Sequence, residues 1–285
     1  MPLDPDALLN MRIDPVRRRY DWRDSALYAL GLGYGADPVD EVQLRFVSER
    51  DQQAMPTMVN VLGHDGAWMK RPETGIDYTK VVHGEQAMQI RTPLPVSGEI
   101  IAQTHIDEVV DKGEGKGALV TARREIRDAE TNVHYATVRM TIFCRGAGGF
   151  GGAGAGTRQR KAQPTDLPET STTLATRPEQ ALIYRLSGDY NMLHADPETA
   201  RMAGFDRPIL HGLATFGIAG RALMDRFCCA DGARVRGLEG RFSAPVYPGE
   251  AITIDMWPQG AGQAAFRARV EDREVLSNGQ FDFSE

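Results

Sequence analysis

RTPLPVSGEI, residues 91–100, returns in altered form as RFSAPVYPGEAI, residues 241–252. The two stretches share an arginine, a proline, a Gly-Glu pair and apolar positions in the same order, and each leads into a run of strand character. Such recurrence within one chain is the mark of a diverged duplication. Working outward from the first copy, residues 81–113 predict two strands, and ALVTARREIRD (118–128) and VHYATVRMTIFC (133–144) predict two more joined by AETN. Outward from the second copy, strands are expected in 237–257, 263–272 and 273–283. Between the copies the composition shifts at Gly146 to GAGGFGGAGAG and then to TRQRKAQPTDLPETSTT. So glycine-dense a run buries little apolar surface and reads as a connection. The expected organisation is therefore a first half (1–145), a linker (146–176) and a second half (177–285), in an α+β fold.

The rest of the first half is less regular. Residues 1–30 read as charged and mostly helical, 42–62 as a mixture of strand and short helix, and 66–80 as loop. Gly31, Gly33 and Gly35 superficially suggest a dinucleotide loop, but they close a helix where a phosphate cradle must open one.

The second half contains the densest chemistry. YRLSGDYNMLHADPETARMAGFDRPILHGLATF, residues 184–216, places Asp189, Asn191, His194 and His211 in one short excursion. Ser187, Gly188, Asp189 and Asn191 are turn formers, so this is a loop able to aim several polar groups at one point. Asp196 can cap a helix that Pro197 and Glu198 begin. From Gly212 onward, Leu213, Phe216, Gly217, Gly220, Leu223, Met224 and Phe227 recur at helical spacing. Gly217 and Gly220 cost helix propensity, so something is expected to approach that face closely. The Gly212 amide opens this helix, where an unpaired N–H at the positive dipole end suits a carbonyl oxygen becoming an oxyanion.

Bulk properties narrow the class. A chain of 285 residues with formal net charge -6 is long enough for a sizeable core and too acidic for a general nucleic-acid binder. No apolar run reaches bilayer length, the opening MPLDPDALL lacks the order of a secretory signal, and the closing FSE is not a peroxisomal address, so a cytoplasmic setting is expected. Cys144, Cys228 and Cys229 do not make a disulfide framework. No HExxH or paired-cysteine spacing supports zinc. The expectation is no metal, no cofactor, no nucleic acid and no membrane.

The run SGDYNMLHADPETARMAGFDRPILHGLATFG (187–217) resembles the signature of the hydratase 2 branch of the MaoC-like dehydratases. YDWRDSALYALGLG (20–33), MPTMVNVL (55–62), VVHGEQAMQIRTPLP (81–95) and GRFSAPVYPGE (240–250) resemble further stretches of its two-repeat members. The resemblance implies a double hot-dog fold, two antiparallel sheets each wrapped around a long helix, with chemistry kept by the C-terminal repeat and acyl binding by the first. It implies (R)-specific hydration of a trans-2-enoyl-CoA by a homodimer without cofactor. On this reading Asp189 and His194 share a water as acid and base, Asn191 orients the water or Asp189, and the Gly212 amide meets the enolate oxygen. His83, Gly84, Lys112, Tyr190 and Phe242 would line the acyl-CoA site. Each has a plain alternative: His83 as a core histidine, Phe242 as a sheet aromatic, Lys112 as a solvated hairpin lysine. His211 is read as fixing the helix start, and His64, His105 and His134 as structural. Met192 stands where the family usually has proline, which would preset the backbone. Thioester hydrolysis and non-catalytic acyl-CoA binding are the competing functions.

Overall fold

The computed structural model describes residues 3–151 and 163–284. Ten antiparallel strands form one sheet: β1 (Val16–Tyr20), β2 (Val81–Ile90), β3 (Gly98–Asp111), β4 (Ala118–Asp128), β5 (His134–Cys144), β6 (Thr170–Ala175), β7 (Val235–Phe242), β8 (Ala251–Gly260), β9 (Gln263–Val270) and β10 (Arg273–Phe283). Their spatial order is β1-β3-β4-β5-β2-β7-β10-β9-β8-β6, which reads as the same half-sheet from either edge. The recurring sequences occupy equivalent places in it. Residues 91–100 lead from β2 into β3, and residues 241–252 lead from β7 into β8. The halves join where β2 pairs with β7, from Glu85 opposite Arg241 to Gln89 opposite Gly237. This is a double hot-dog fold.

The helices are α1 (Pro5–Leu9), α2 (Trp22–Gly31), α3 (Glu41–Val47), α4 (Gln180–Tyr184), α5 (Pro197–Met202) and α6 (Gly212–Cys228). Every residue of α6 from Leu213 to Met224 is buried, as expected of a helix enclosed on all sides. The close approach expected at its glycines is there. A Cβ on Gly217 would lie 2.6 Å from Leu32 Cδ2, and one on Gly220 would lie 2.8 Å from Thr57 Cγ2. Both intruders come from the first half, so α6 is a shared core element.

Two expectations need correction. The first half has no helix matching α6 among the described residues: a five-residue 3-10 turn, Pro56–Asn60, lies between β2 and α6 and is buried throughout. Pro56 fits only a first turn, Thr57, Val59 and Val61 lose rotamer freedom in a helix, and Gly63 turns the chain at φ 62°. A Cβ at Gly63 would lie 2.4 Å from Ala102 Cβ, so the segment is pressed onto β3 too closely for a helix to continue. Residues 16–20, read as helical, form β1 instead. Its three arginines mimic a helix surface, but they face outward from a sheet edge, where charge protects against stray pairing. Arg17 pairs with Glu99, and the buried Tyr20 donates its hydroxyl to the Pro95 carbonyl at 3.0 Å.

The expected linker is tied down at both described ends. The Gly149 and Gly151 amides each donate to the Asp111 carboxylate at 2.8 Å, and β6, inside the 146–176 stretch, pairs with β8. Residues 152–162 of that stretch lie outside the described residues.

Candidate active site

The loop before α5 is built from short-range hydrogen bonds that its sequence dictates. Gly188 takes φ 121°, a conformation that a side chain strongly disfavours. Asp189 Oδ1 then accepts the Asn191 amide at 3.2 Å, and Asn191 Oδ1 accepts the Leu193 amide at 3.1 Å, starting the 3-10 turn Met192–His194. The Asn191 carbonyl-type oxygen thus serves the backbone, and its amide nitrogen is what it can turn to a ligand. Asp196 caps α5 through the Thr199 amide at 2.9 Å.

This loop brings Asp189, His194 and His211 together, with one donor atom from each within 4.8 Å of the others. The two imidazoles stack with ring centres 3.7 Å apart. His194 Nδ1 lies 2.9 Å from the Ile209 carbonyl oxygen. A carbonyl only accepts, so Nδ1 holds the proton and Nε2 keeps a lone pair. Burial pushes the His194 pKa down, opposed by the Ile209 carbonyl and the Asp189 charge, so the ring is neutral and basic at physiological pH. His211 Nε2 donates to the Asp189 backbone oxygen at 3.2 Å, while its Nδ1 is buried without a hydrogen-bond partner. Burial and the neighbouring His194 also lower its pKa. His211 therefore anchors the loop to the start of α6, as expected. One lone-pair nitrogen per ring and a carboxylate can order a water and move its proton. The same trio, the one grouping of its kind found among the described residues, has the donor types to hold a cation.

The first half closes the other side. His83, on β2, meets Phe242, on β7, edge-on with ring centres 4.6 Å apart. Phe242 lies over Gly212: a Cβ there would come within 3.1 Å of its Cε1. Glycine thus lets the aromatic ring approach the first amide of α6. Burial lowers the pKa of His64 and of His83 to about 4, with the Asp189 charge opposing the fall, while burial and then the same charge raise that of Tyr78. From sequence His64 is read as structural and Tyr78 is not singled out, because no local pattern links either to residue 189. Not every predicted lining residue joins the cluster. Lys112 is exposed in the β3–β4 hairpin just past the end of β3, a strand three places from β2 and His83 in the sheet. Tyr190 is 59% exposed and stacks under Arg185, whose guanidinium carbon is 5.5 Å from the ring centre. Gly84 interrupts the β2–β5 register, and a Cβ there would face the Thr141 carbonyl at 3.2 Å. Met192 is about half exposed and lies 3.9 Å from Arg185 Nη2.

An antiparallel double hot-dog with a carboxylate and a neutral imidazole beside a helix N-terminus is equipped for acid–base chemistry. The comparisons with known proteins carry this further. Residues 159–279 match the MaoC like domain, and residues 19–146 match the MFE-2 hydratase 2 N-terminal domain. The enoyl-CoA hydratase ChsH3 of Mycobacterium tuberculosis is 35% identical over 284 residues, covering 98% of each chain. The peroxisomal enoyl-CoA hydratase 2 of Arabidopsis thaliana is 36% identical, covering 94% of this chain and 91% of that one. The crystal structure of a MaoC-like dehydratase from Phytophthora capsici superposes with a TM-score of 0.87 at 35% identity, covering 98% of both chains. The chain belongs to the MaoC-like dehydratases, in the two-domain hydratase 2 branch, and is a hydro-lyase. No helix among the described residues is long and apolar enough to cross a membrane.

Proposed function

We propose that the chain catalyses reversible, (R)-specific hydration of trans-2-enoyl-CoA to (3R)-3-hydroxyacyl-CoA, acting as a homodimer. The observation that carries the reading is the placement of the Asp189 carboxylate and the neutral His194 within 4.8 Å of each other, in the loop that His211 ties to the start of α6. A water between them gives a proton to the pair as its oxygen bonds to C3. The C2=C3 electrons move toward the thioester oxygen, where the Gly212 amide stabilises the enolate. The proton held by the pair then passes to C2, so the enzyme ends in its starting state. His194 Nε2 is the natural first acceptor, since Nδ1 is committed to Ile209, and Asp189 stabilises the imidazolium that forms. The Asn191 amide nitrogen orients the water. His83 and Phe242 contact the acyl thioester, while the exposed Tyr190 and Lys112 meet the CoA portion outside the cluster, Lys112 as the cation for its phosphates.

The test follows loss of the enoyl-thioester absorbance with crotonyl-CoA and with a longer trans-2-enoyl-CoA, together with product chirality. Wild type should yield the (3R) product, and Asp189→Asn and His194→Ala should each lose about 10²–10⁴-fold in kcat. Unchanged activity in both variants would sink the site assignment, and release of free CoA would mean a thioesterase.

A further inference from the structure

His83 belongs to the half that lacks the Gly-Asp-x-Asn-x-x-His motif, yet its ring forms a wall of the site with Phe242. Burial lowers its pKa to about 4, so it is neutral and its tautomer matters. A chain of buried amides behind the ring decides that tautomer. Asn60 Nδ2 lies 2.9 Å from the Thr57 carbonyl oxygen and 3.5 Å from Met88 Sδ. Both neighbours only accept, so the NH₂ of Asn60 must face them; the reversed amide would set oxygen against oxygen. Asn60 Oδ1 therefore accepts from Gln86 Nε2 at 2.6 Å. Gln86 is oriented in turn, leaving its Oε1 opposite His83 Nε2 at 3.0 Å. Gln86 thus presents an acceptor to His83 Nε2 and calls for a proton there, with the Glu85 backbone carbonyl as a second acceptor beside the ring. Asn60 is itself anchored, because Arg124 Nη2 donates to its carbonyl at 2.6 Å and to that of Val59 at 3.3 Å. Asn60 and Gln86 are 2% and 3% exposed. Buried amides cost desolvation that apolar side chains of the same volume would not, and a fully connected chain of them specifies orientation.

We propose that Asn60 and Gln86 are positioning residues for the reaction: they hold His83 as the Nε2–H tautomer and so fix the His83–Phe242 wall against Gly212, where the thioester oxygen lies. The first half then contributes geometry to the chemical step as well as room for the acyl chain. This inference rests on the hydratase reading, and its test separates the two.

Ring-nitrogen ¹⁵N–¹H spectra are recorded for wild type, Gln86→Met, Asn60→Leu and Asn60→Asp, beside steady-state hydration of a trans-2-enoyl-CoA and thermal melts. Wild type should show one His83 tautomer, protonated on Nε2. Gln86→Met and Asn60→Leu should show mixed tautomers and a kcat lower by about tenfold with KM changed by less than about threefold, because misplacing the wall acts on the transition state. Asn60→Asp, protonated in this buried place so that its O–H donates to the Thr57 carbonyl while its other oxygen accepts from Gln86 Nε2, should retain the wild-type tautomer and most of kcat. An Nδ1–H tautomer in wild type overturns the proposal whether or not any variant folds. So does a folded Gln86→Met with kcat within about twofold of an active wild type. A wild type with the expected tautomer and no hydratase activity overturns the functional reading, and the catalytic role of these residues with it.

Discussion

His194 is useful to the site because one nitrogen is committed to a backbone carbonyl and the other is not. Its acid limb in kcat/KM should fall below the ordinary imidazole range, since burial lowers its pKa and the nearby Arg185 charge lowers it further. Removing that charge gives a signed prediction. Arg185→Gln should raise the His194 pKa, so the lone pair is lost at a higher pH and the acid limb of kcat/KM moves upward. A limb that stays put or moves down would show that another group governs it. At this scale the sequence was informative about identity and less so about role. Asn191 was expected to hydrogen-bond water or Asp189; its oxygen serves the Leu193 amide, which leaves its amide nitrogen for that role. That division of labour follows from the tight turn through Gly188, whose local geometry no motif prints.

Among the elements, α6 carries both halves. Its glycines are set by Leu32 and Thr57 from across the seam, so Gly217→Ala should cost about 1–3 kcal/mol by overpacking. Urea unfolding would measure it, and Leu32→Ala should recover part of the loss in a double-mutant cycle. Strict additivity of the two changes would mean that the contact does not limit this position. The spacing of apolar residues made α6 legible, and its two glycines announced a close approach. The absence of a matching first-half helix was harder to read. Pro56 and the β-branched residues after it weaken a helix, but what ends it is contact with β3, a strand some forty residues further on. β1 was missed for a related reason, because three arginines beside one buried tyrosine have no period to detect.

For the molecule as a whole, the β2–β7 seam and the shared α6 make the halves interdependent. Expressed alone, each half would expose an unpaired strand edge and one side of the α6 packing, and should aggregate. Co-expression of 1–151 with 152–285 should restore soluble, active protein, whereas a soluble monomeric first half would show that its core suffices. Acid stability is a second property of the assembled core. His64 and His83 titrate near 4 when folded, against an ordinary value of 6.5. Between these values the unfolded chain binds more protons, so stability is full above about pH 6.5 and is lost as pH falls toward 4. Each histidine contributes up to about 3 kcal/mol to that loss. His64→Gln keeps an acceptor for Arg124, whose Nη1 now meets His64 Nδ1 at 3.0 Å. In urea titrations at pH 7 and pH 4.5, its stability should drop less between the two than that of wild type; an equal drop would remove His64 from the account.

The sequence by itself determined the duplication, the strands that follow each Gly-Glu pair, the long glycine-bearing helix and the loop that gathers Asp189, Asn191 and His194, because each of these is written in short-range periodicity or turn chemistry. Only the tertiary structure decided that His83 meets Phe242 across the seam, that Phe242 covers Gly212, and that Asn60 and Gln86 set the tautomer of His83. Most of those contacts join residues from different elements of the chain. The contact of His83 with Phe242 exists only once β2 and β7 pair, and pairing is a property of the whole sheet.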